Sequence, residues 1–271
     1  MKMISARGVN FLCVGAQKSG TTTLRRLLRQ HPQIRMPAQE VHFFDNDTFD
    51  WRTPNYSLYH SIFEMDLASD PDCKKSSENI VFESICFGEV TPIYMYWQPC
   101  PLRIFKYNPE MKLIFLLRNP ISRAFSQWSM EFNRGSESAD FAYSIHNESE
   151  RLQECAYQQH RVYSYIKRGM YSAQIDHFLP LFKKEQMLFI KAENFFANPL
   201  TELNKICEFL GIKPFGQVNA LHEHKGDYKT TINAKDWHYL YSRLGCDIMK
   251  LEKLLNWQLE DWKAPSLTIL N

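Results

Sequence analysis

Three features of the 271-residue sequence predict an open parallel β-sheet flanked by helices on both faces. The first is Gly15-Ala16-Gln17-Lys18-Ser19-Gly20-Thr21-Thr22-Thr23, set between the apolar run Phe11-Leu12-Cys13-Val14 and a helical pattern from Leu24 to Leu28. The second is Lys112-Leu113-Ile114-Phe115-Leu116-Leu117, a near-continuous apolar run of the kind a fully buried parallel strand requires. The third is the alternation of strand-like and helix-like segments along the chain, which implies helices crossing over a common sheet.

The elements follow in order. Residues 10–14 read as the first strand. The glycine loop comes next, and its backbone N–H groups, with those of the first helical turn, converge on an anion that the helix dipole also attracts. The loop is P-loop-type but departs from the nucleoside-triphosphatase form. That form places Lys directly after the second Gly, followed by Ser or Thr for Mg²⁺. Here Thr21 follows Gly20, the lysine stands earlier at Lys18, and no metal ligand is evident. A helix runs from Thr21 to Gln30 and closes at His31-Pro32. The segment Glu40-Val41-His42-Phe43-Phe44-Asp45 reads as a short strand or loop, residues 54–65 as helix and 68–79 as a polar surface loop. Ile85 to Val90 reads as a strand ending at Thr91-Pro92, and residues 99–107 as a short helix. After the strand at 112–117, Pro120 suits the first position of another helix. Helices are expected over 139–181, a strand over Met187 to Lys191, and a helix over Pro199 to Leu210 stopped by Gly211. The tail from Ala234 to Trp262 is amphipathic and expected to dock on a single domain covering 1–271.

Composition sets the bounds. With 44% hydrophobic and 14% aromatic residues the chain can build a large core, and a net charge of +2 argues against nucleic acid as a partner. Seven cysteines, an odd number without metal-ligand spacing, read as free thiols in a reducing compartment. The first ten residues carry no signal region and no run approaches ~18 apolar residues. A cytoplasmic protein without a membrane partner is the expectation, and the sequence leaves its oligomeric state open.

Ligands of open parallel sheets bind at the carboxyl ends of the strands, where the loop and Arg118 would both lie. Arg118 can grip a phosphate through two parallel hydrogen bonds, and Ser126, about two helical turns on, can add a hydroxyl. Taken alone, an Arg118 ion pair and a surface Ser126 are the simpler reading. With a separate phosphate loop, two anion sites on one sheet edge suggest a ligand with two phosphates. In an extended segment Glu40 and His42 project to the same face, and a carboxylate beside an imidazole could share proton removal from a hydroxyl. A half-buried strand with a solvated polar face is the commoner arrangement. Phe43 and Phe44, like Trp51, Trp97 and Trp128, are core material first.

Four segments, Gln17 to Thr22, Glu40 to Asp45, Glu89-Val90-Thr91-Pro92-Ile93-Tyr94 and Leu117-Arg118-Asn119-Pro120 with Arg123-Ala124-x-Ser126, together resemble one family. The chain is similar to sulfotransferases that use 3′-phosphoadenosine 5′-phosphosulfate (PAPS). Within that family it resembles the branch of the heparan sulfate glucosaminyl 3-O- and N-sulfotransferases and small bacterial relatives. The resemblance covers about Phe11 to Leu210, with an echo at Lys225-Gly226. It implies the sulfotransferase fold, no metal, and release of adenosine 3′,5′-bisphosphate. It also implies that Gln17, Lys18, Ser19, Gly20, Thr21 and Thr22 hold the 5′-phosphosulfate, with Lys18 stabilising the leaving phosphate. Arg118 and Ser126 would hold the 3′-phosphate, and Lys225 and Gly226 a closing loop. Glu40 would be the base, with His42 and Asp45 on the acceptor side. Val90 stands where the 3-O branch carries an active-site Lys, which points away from a polyanionic sugar toward a less charged small or medium acceptor, a carbohydrate or natural product.

N-sulfation of an amine or guanidine stays open. A P-loop kinase is opposed by the missing Lys after Gly20, and a noncatalytic nucleotide-binding module by the presence of Lys18, Glu40 and His42. His222-x-His224 lacks a third ligand and reads as a solvated loop. Arg168-Gly169-x-Tyr171 is equally a segment near the nucleotide or a helix junction. Glu148, Glu150, Arg151 and Glu154 read as a solvated helix face.

Overall fold

The computed structural model describes residues 8–69, 85–218 and 232–264. Two compact units result, one of Met1–Ala16, Gly20–Leu116 and Phe178–Glu223, the other of Gln17–Ser19, Leu117–His177 and His224–Asn271.

The first unit carries the sheet. Its strands are β1 (Phe11–Gly15), β2 (Ile34–Arg35), β3 (Cys86–Val90), β4 (Lys112–Leu117) and β5 (Met187–Lys191), in spatial order β2-β3-β1-β4-β5. β1 pairs in parallel with both β3 and β4, and β2 in parallel with β3. Every residue of β1 and β3 is buried, which explains why β1 reads as an apolar run without alternation, while β3 buries Glu89 among its apolar residues. The helices of this unit are α1 (Thr21–Leu28), α2 (Tyr56–Ser69), α3 (Cys100–Tyr107), α8 (Ala192–Ala197) and α9 (Pro199–Leu210). One sheet face, through Phe11, Cys13, Val90 and Ile114, packs with Leu24 and Leu28 of α1 and Leu203 and Ile206 of α9. Glu89 and Phe115 alternate onto the opposite face. There Tyr59 of α2 bonds Glu89, and Phe178 meets the Phe115 ring edge-on at 5.3 Å.

In the second unit, α4 (Pro120–Asn133) starts where expected. Asn119 caps it by accepting from the N–H groups of Ile121 and Ser122, and Pro120 takes the first position. The predicted helical stretch 139–181 is broken instead into α5 (Phe141–His146), α6 (Glu148–Arg151), 3₁₀ turns at Ala156–Gln158 and Lys167–Gly169, and α7 (Tyr171–Ile175). Glu148 is the physical reason. It is buried, not on a solvated face, and its carboxylate accepts from the N–H groups of Tyr165, Ile166 and Lys167, which then need no helical carbonyl. The tail forms α10 (Ala234–Leu255), stopped by Asn256 in the left-handed region (φ 53°), followed by α11 (Glu260–Lys263). Asn233 caps α10 at Asp236 N–H, and Asp247 on α10 accepts from the N–H of Ser172 at the start of α7.

Candidate active site

The loop residues of the second unit are held by two arginines. Arg118, just past β4, donates from Nη1 to the Lys18 carbonyl oxygen at 3.1 Å. Tyr171 donates its hydroxyl to the Arg118 carbonyl at 2.9 Å. Arg168, buried, donates to Gln17 Oε1 and, from Nη2, to the Arg161 carbonyl at 2.7 Å. These bonds use a carbonyl and a side chain of the loop, and none of them uses a loop N–H. Lys18 has φ 70°, and its Nζ lies 3.5 Å from Met130 Sδ on α4. Ser126 is buried on the same helix. Ser19 is fully buried, and its hydroxyl has no hydrogen-bond partner among the described residues. Such an orphan in a glycine loop fits a site made for an anion's oxygens.

In the first unit Gly20 is the N-cap residue of α1, at φ 95°, a conformation that favours glycine. The Phe196 ring of α8 occupies the place a Cβ at Gly20 would take. No side chain caps α1 and no acidic residue enters its first turn. With no capping side chain, the start of α1 and the positive end of its dipole suit an anion. Thr21 is buried there and Thr22 exposed.

The Glu40 segment differs from the alternating strand expected. Residues 40–43 form no regular structure, and His42 takes φ 55°. Side-chain hydroxyls, not a neighbouring strand, hold its N–H groups: Val41 donates to Thr91 Oγ1 at 3.1 Å, and Phe43 to Tyr94 Oη at 2.9 Å. Glu40 and His42 nevertheless meet, because the turn folds one toward the other. His42 Nε2 lies 3.3 Å from Glu40 Oε2, and Nδ1 lies 3.0 Å from Oδ2 of buried Asp45. The Asp45 carboxylate, with Glu40 second, holds the imidazole's pKa up at about 9. The ring is thus cationic near neutral pH, a donor to both carboxylates and not a second proton acceptor. Arg25 Nη1 of α1 stands 4.0 Å from Glu40 Oε1. Phe43 and Phe44 are buried, Phe43 stacking on Tyr59 at 4.6 Å, and Trp97 and Trp128 are buried as well. Among the described residues no group of three or more His, Cys, Asp or Glu side chains is placed to hold a metal ion.

A sequence model of the sulfotransferase family matches residues 11–216. The chain belongs to the sulfotransferase family. It is 27% identical over 202 residues to human heparan sulfate glucosamine 3-O-sulfotransferase 6, covering 74% of this chain and 52% of that protein. It is also 27% identical over 203 residues to human 3-O-sulfotransferase 3B1, covering 74% of this chain and 46% of that protein. The chain thus spans about half the length of the curated relatives it matches. A sulfotransferase crystal structure from Alicyclobacillus acidocaldarius superposes with a TM-score of 0.73 at 26% identity, covering 94% of this chain and 99% of that one. The fold expectation, an open parallel α/β sheet of the sulfotransferase type flanked by helices, agrees with this likeness, and the sheet has five strands.

Within this sulfotransferase the expected site residues fall into local groups. Lys18 and Arg118 are joined directly, and Glu40, His42 and Asp45 form one cluster. Lys225 and Gly226, like His222 and His224, lie outside the described residues. Sequence reasoning left Arg168 and Tyr171 undecided, although their shared motif was the available signal. It missed Arg25, which reads as an ordinary helix residue, and it quoted Glu89 within a segment of the resemblance without giving it a role.

Proposed function

We propose that the protein transfers a sulfuryl group from PAPS to a hydroxyl of a small or medium acceptor. The observation that carries this reading is the loop: an uncapped helix start at Gly20, preceded by a buried Ser19 hydroxyl without a partner, in a chain of the sulfotransferase family. In the first unit, the N–H groups at the start of α1 and the hydroxyls of Thr21 and Thr22 would hold the 5′-phosphate. In the second, Lys18 and Gln17 would meet the phosphosulfate, and Arg118 with Ser126 the 3′-phosphate. Lys225 and Gly226 would close on the nucleotide. Both units are read as serving one catalytic domain.

In the transfer, the acceptor oxygen bonds to sulfur as the bond from sulfur to the 5′-phosphate oxygen breaks, releasing adenosine 3′,5′-bisphosphate. Glu40 takes the acceptor proton. His42, protonated, orients Glu40 and adds positive charge beside the acceptor, and Asp45 fixes the ring through Nδ1. Lys18 and the loop amides meet the charge that develops on the leaving phosphate. Catalysis by such a site is mainly positioning and electrostatic stabilisation, as in phosphoryl transfer.

The named relatives act on heparan sulfate. Val90, buried in the sheet core, presents no charge at the position where the 3-O branch carries its lysine, which supports a less charged acceptor here. Among the described residues no helix is long and apolar enough to cross a membrane. An odd count of seven cysteines without metal-ligand spacing supports a reducing, cytoplasmic setting.

The test is transfer from ³⁵S-labelled PAPS to a panel of hydroxyl and amine acceptors, beside calorimetric titration with adenosine 3′,5′-bisphosphate in EDTA. Metal-independent nucleotide binding and label on a hydroxyl acceptor are expected. Label on amines alone would shift the reading to N-sulfation, and no binding of the bisphosphate would end it.

A further inference from the structure

Glu89 lies at the end of β3, fully buried, and its partners are three hydroxyls. Tyr59 donates to Oε1 at 2.7 Å, Thr91 to Oε2 at 2.6 Å, and Tyr94 to Oε1 at 3.2 Å. Burial pushes its pKa up to about 7 against these bonds. Among the described residues no cation pairs with Glu89, and a buried carboxylate held so is costly, which calls for an explanation.

Two of the three hydroxyls have a second task. A hydroxyl has one proton to give and lone pairs to accept with. Having donated to Glu89, Thr91 accepts from Val41 N–H at 3.1 Å, and Tyr94 accepts from Phe43 N–H at 2.9 Å and Phe44 N–H at 3.4 Å. These amides flank His42, the residue with φ 55°. Both sides of the turn that brings Glu40, His42 and Asp45 together are therefore tied, through one hydroxyl each, to the same carboxylate.

We infer that Glu89 is a positioning residue: its carboxylate sets the direction of the Thr91 and Tyr94 hydroxyls so that they accept the Val41 and Phe43 amides and hold the Glu40–His42–Asp45 cluster in shape. The ionised carboxylate, the form Glu89 takes above pH 7 and so through the range where His42 titrates, is acceptor-only and can do this for both hydroxyls. A glutamine places an NH₂ where one hydroxyl proton must lie. That hydroxyl must then accept from the amide, its own proton loses its acceptor in a buried site, and the direction that favoured the backbone N–H is no longer set. The consequence for catalysis rests on the reading of Glu40 as base, but the geometric claim does not.

The test needs no acceptor. The His42 imidazole is titrated by NMR on histidine-labelled protein and assigned through His42→Asn. Glu89→Gln, Thr91→Val and Tyr94→Phe are each expected to lower its pKa from about 9 toward 6.5, and Thr91→Ser, which keeps the hydroxyl, to leave it in place. Should Glu89→Gln fail to fold, the Thr91 pair and Tyr94→Phe decide. An unchanged His42 titration in folded Thr91→Val and Tyr94→Phe overturns the inference. With any acceptor the wild type sulfates, Thr91→Val should cut kcat ~10-fold or more at unchanged KM for PAPS, a modest share of what an acid–base group contributes. A lowered His42 pKa with kcat intact would uphold the positioning role and count against Glu40 as the base.

Discussion

The Nδ1 atom of His42 sits 3.0 Å from Asp45 Oδ2, and Asp45 is almost wholly buried while the imidazole is half open to water. The bond ties the ring's charge to folding. The folded pKa, about 9, lies above the ordinary 6.5, so the stabilisation is complete below pH 6.5 and is lost as pH rises through 9. Urea midpoints of wild type and His42→Asn, which tolerates the positive φ, should differ by about 1 kcal/mol more at pH 6 than at pH 10, after discounting for solvent screening. A constant difference across that range would contradict the bond.

Glu40→Gln keeps the shape of the side chain and removes its capacity to take a proton. Turnover should fall at least ~100-fold while affinity for adenosine 3′,5′-bisphosphate is unchanged. Lys18→Ala should also lower turnover ~100-fold or more, because it removes a cation from developing charge. Single-turnover rates with labelled PAPS measure both.

Arg118→Ala should act on binding first. Losing a charge-assisted grip on a phosphate costs about 1.5–3 kcal/mol, or ~10- to 100-fold in the bisphosphate dissociation constant. The same variant frees the Lys18 carbonyl, so a smaller fall in kcat should accompany it. Calorimetry and steady-state kinetics separate the two effects.

Gly20→Ala meets both a left-handed backbone and the Phe196 ring. A loss of about 1–3 kcal/mol in stability and weaker nucleotide binding are expected. Phe196→Ala in the same protein should restore part of the stability by removing the clash, leaving the backbone cost. Thermal melts of the two single variants and the double variant read this out.

Glu148→Ala would take the acceptor from two buried amides, those of Tyr165 and Ile166, and from the part-buried amide of Lys167. A loss of about 3 kcal/mol or more is expected, at the upper end for one substitution, whereas Glu150→Ala at the adjacent exposed position should be close to neutral.

Strands β1 and β4 were legible in sequence because burial on both faces leaves an apolar run, whereas β2, only two residues long (Ile34–Arg35), left no periodicity to read. The start of α4 was legible because Asn119-Pro120 is a local capping signal. The loop was equally plain, since glycine, lysine and hydroxyl spacing carries its chemistry directly. What could not be read was held by distant partners. The turn at His42 is made by hydroxyls 50 or so residues away, so the local alternation pointed to a strand. Glu148 looked solvated because its charge suited a helix surface, and its amide partners lie 17 to 19 residues further on. Arg168 reaches back 151 residues to Gln17, a span over which no periodicity signals contact.

The family match stops at residue 216, yet Asp247 on α10 fastens Ser172, the neighbour of Tyr171, whose hydroxyl reaches Arg118 and through it the Lys18 carbonyl. Anyone who trims the protein to its recognisable family boundaries would remove the far end of that tether. Such a shortened enzyme could fold its sheet and still grip nucleotide poorly, and the fault would lie some 230 residues from where it was felt.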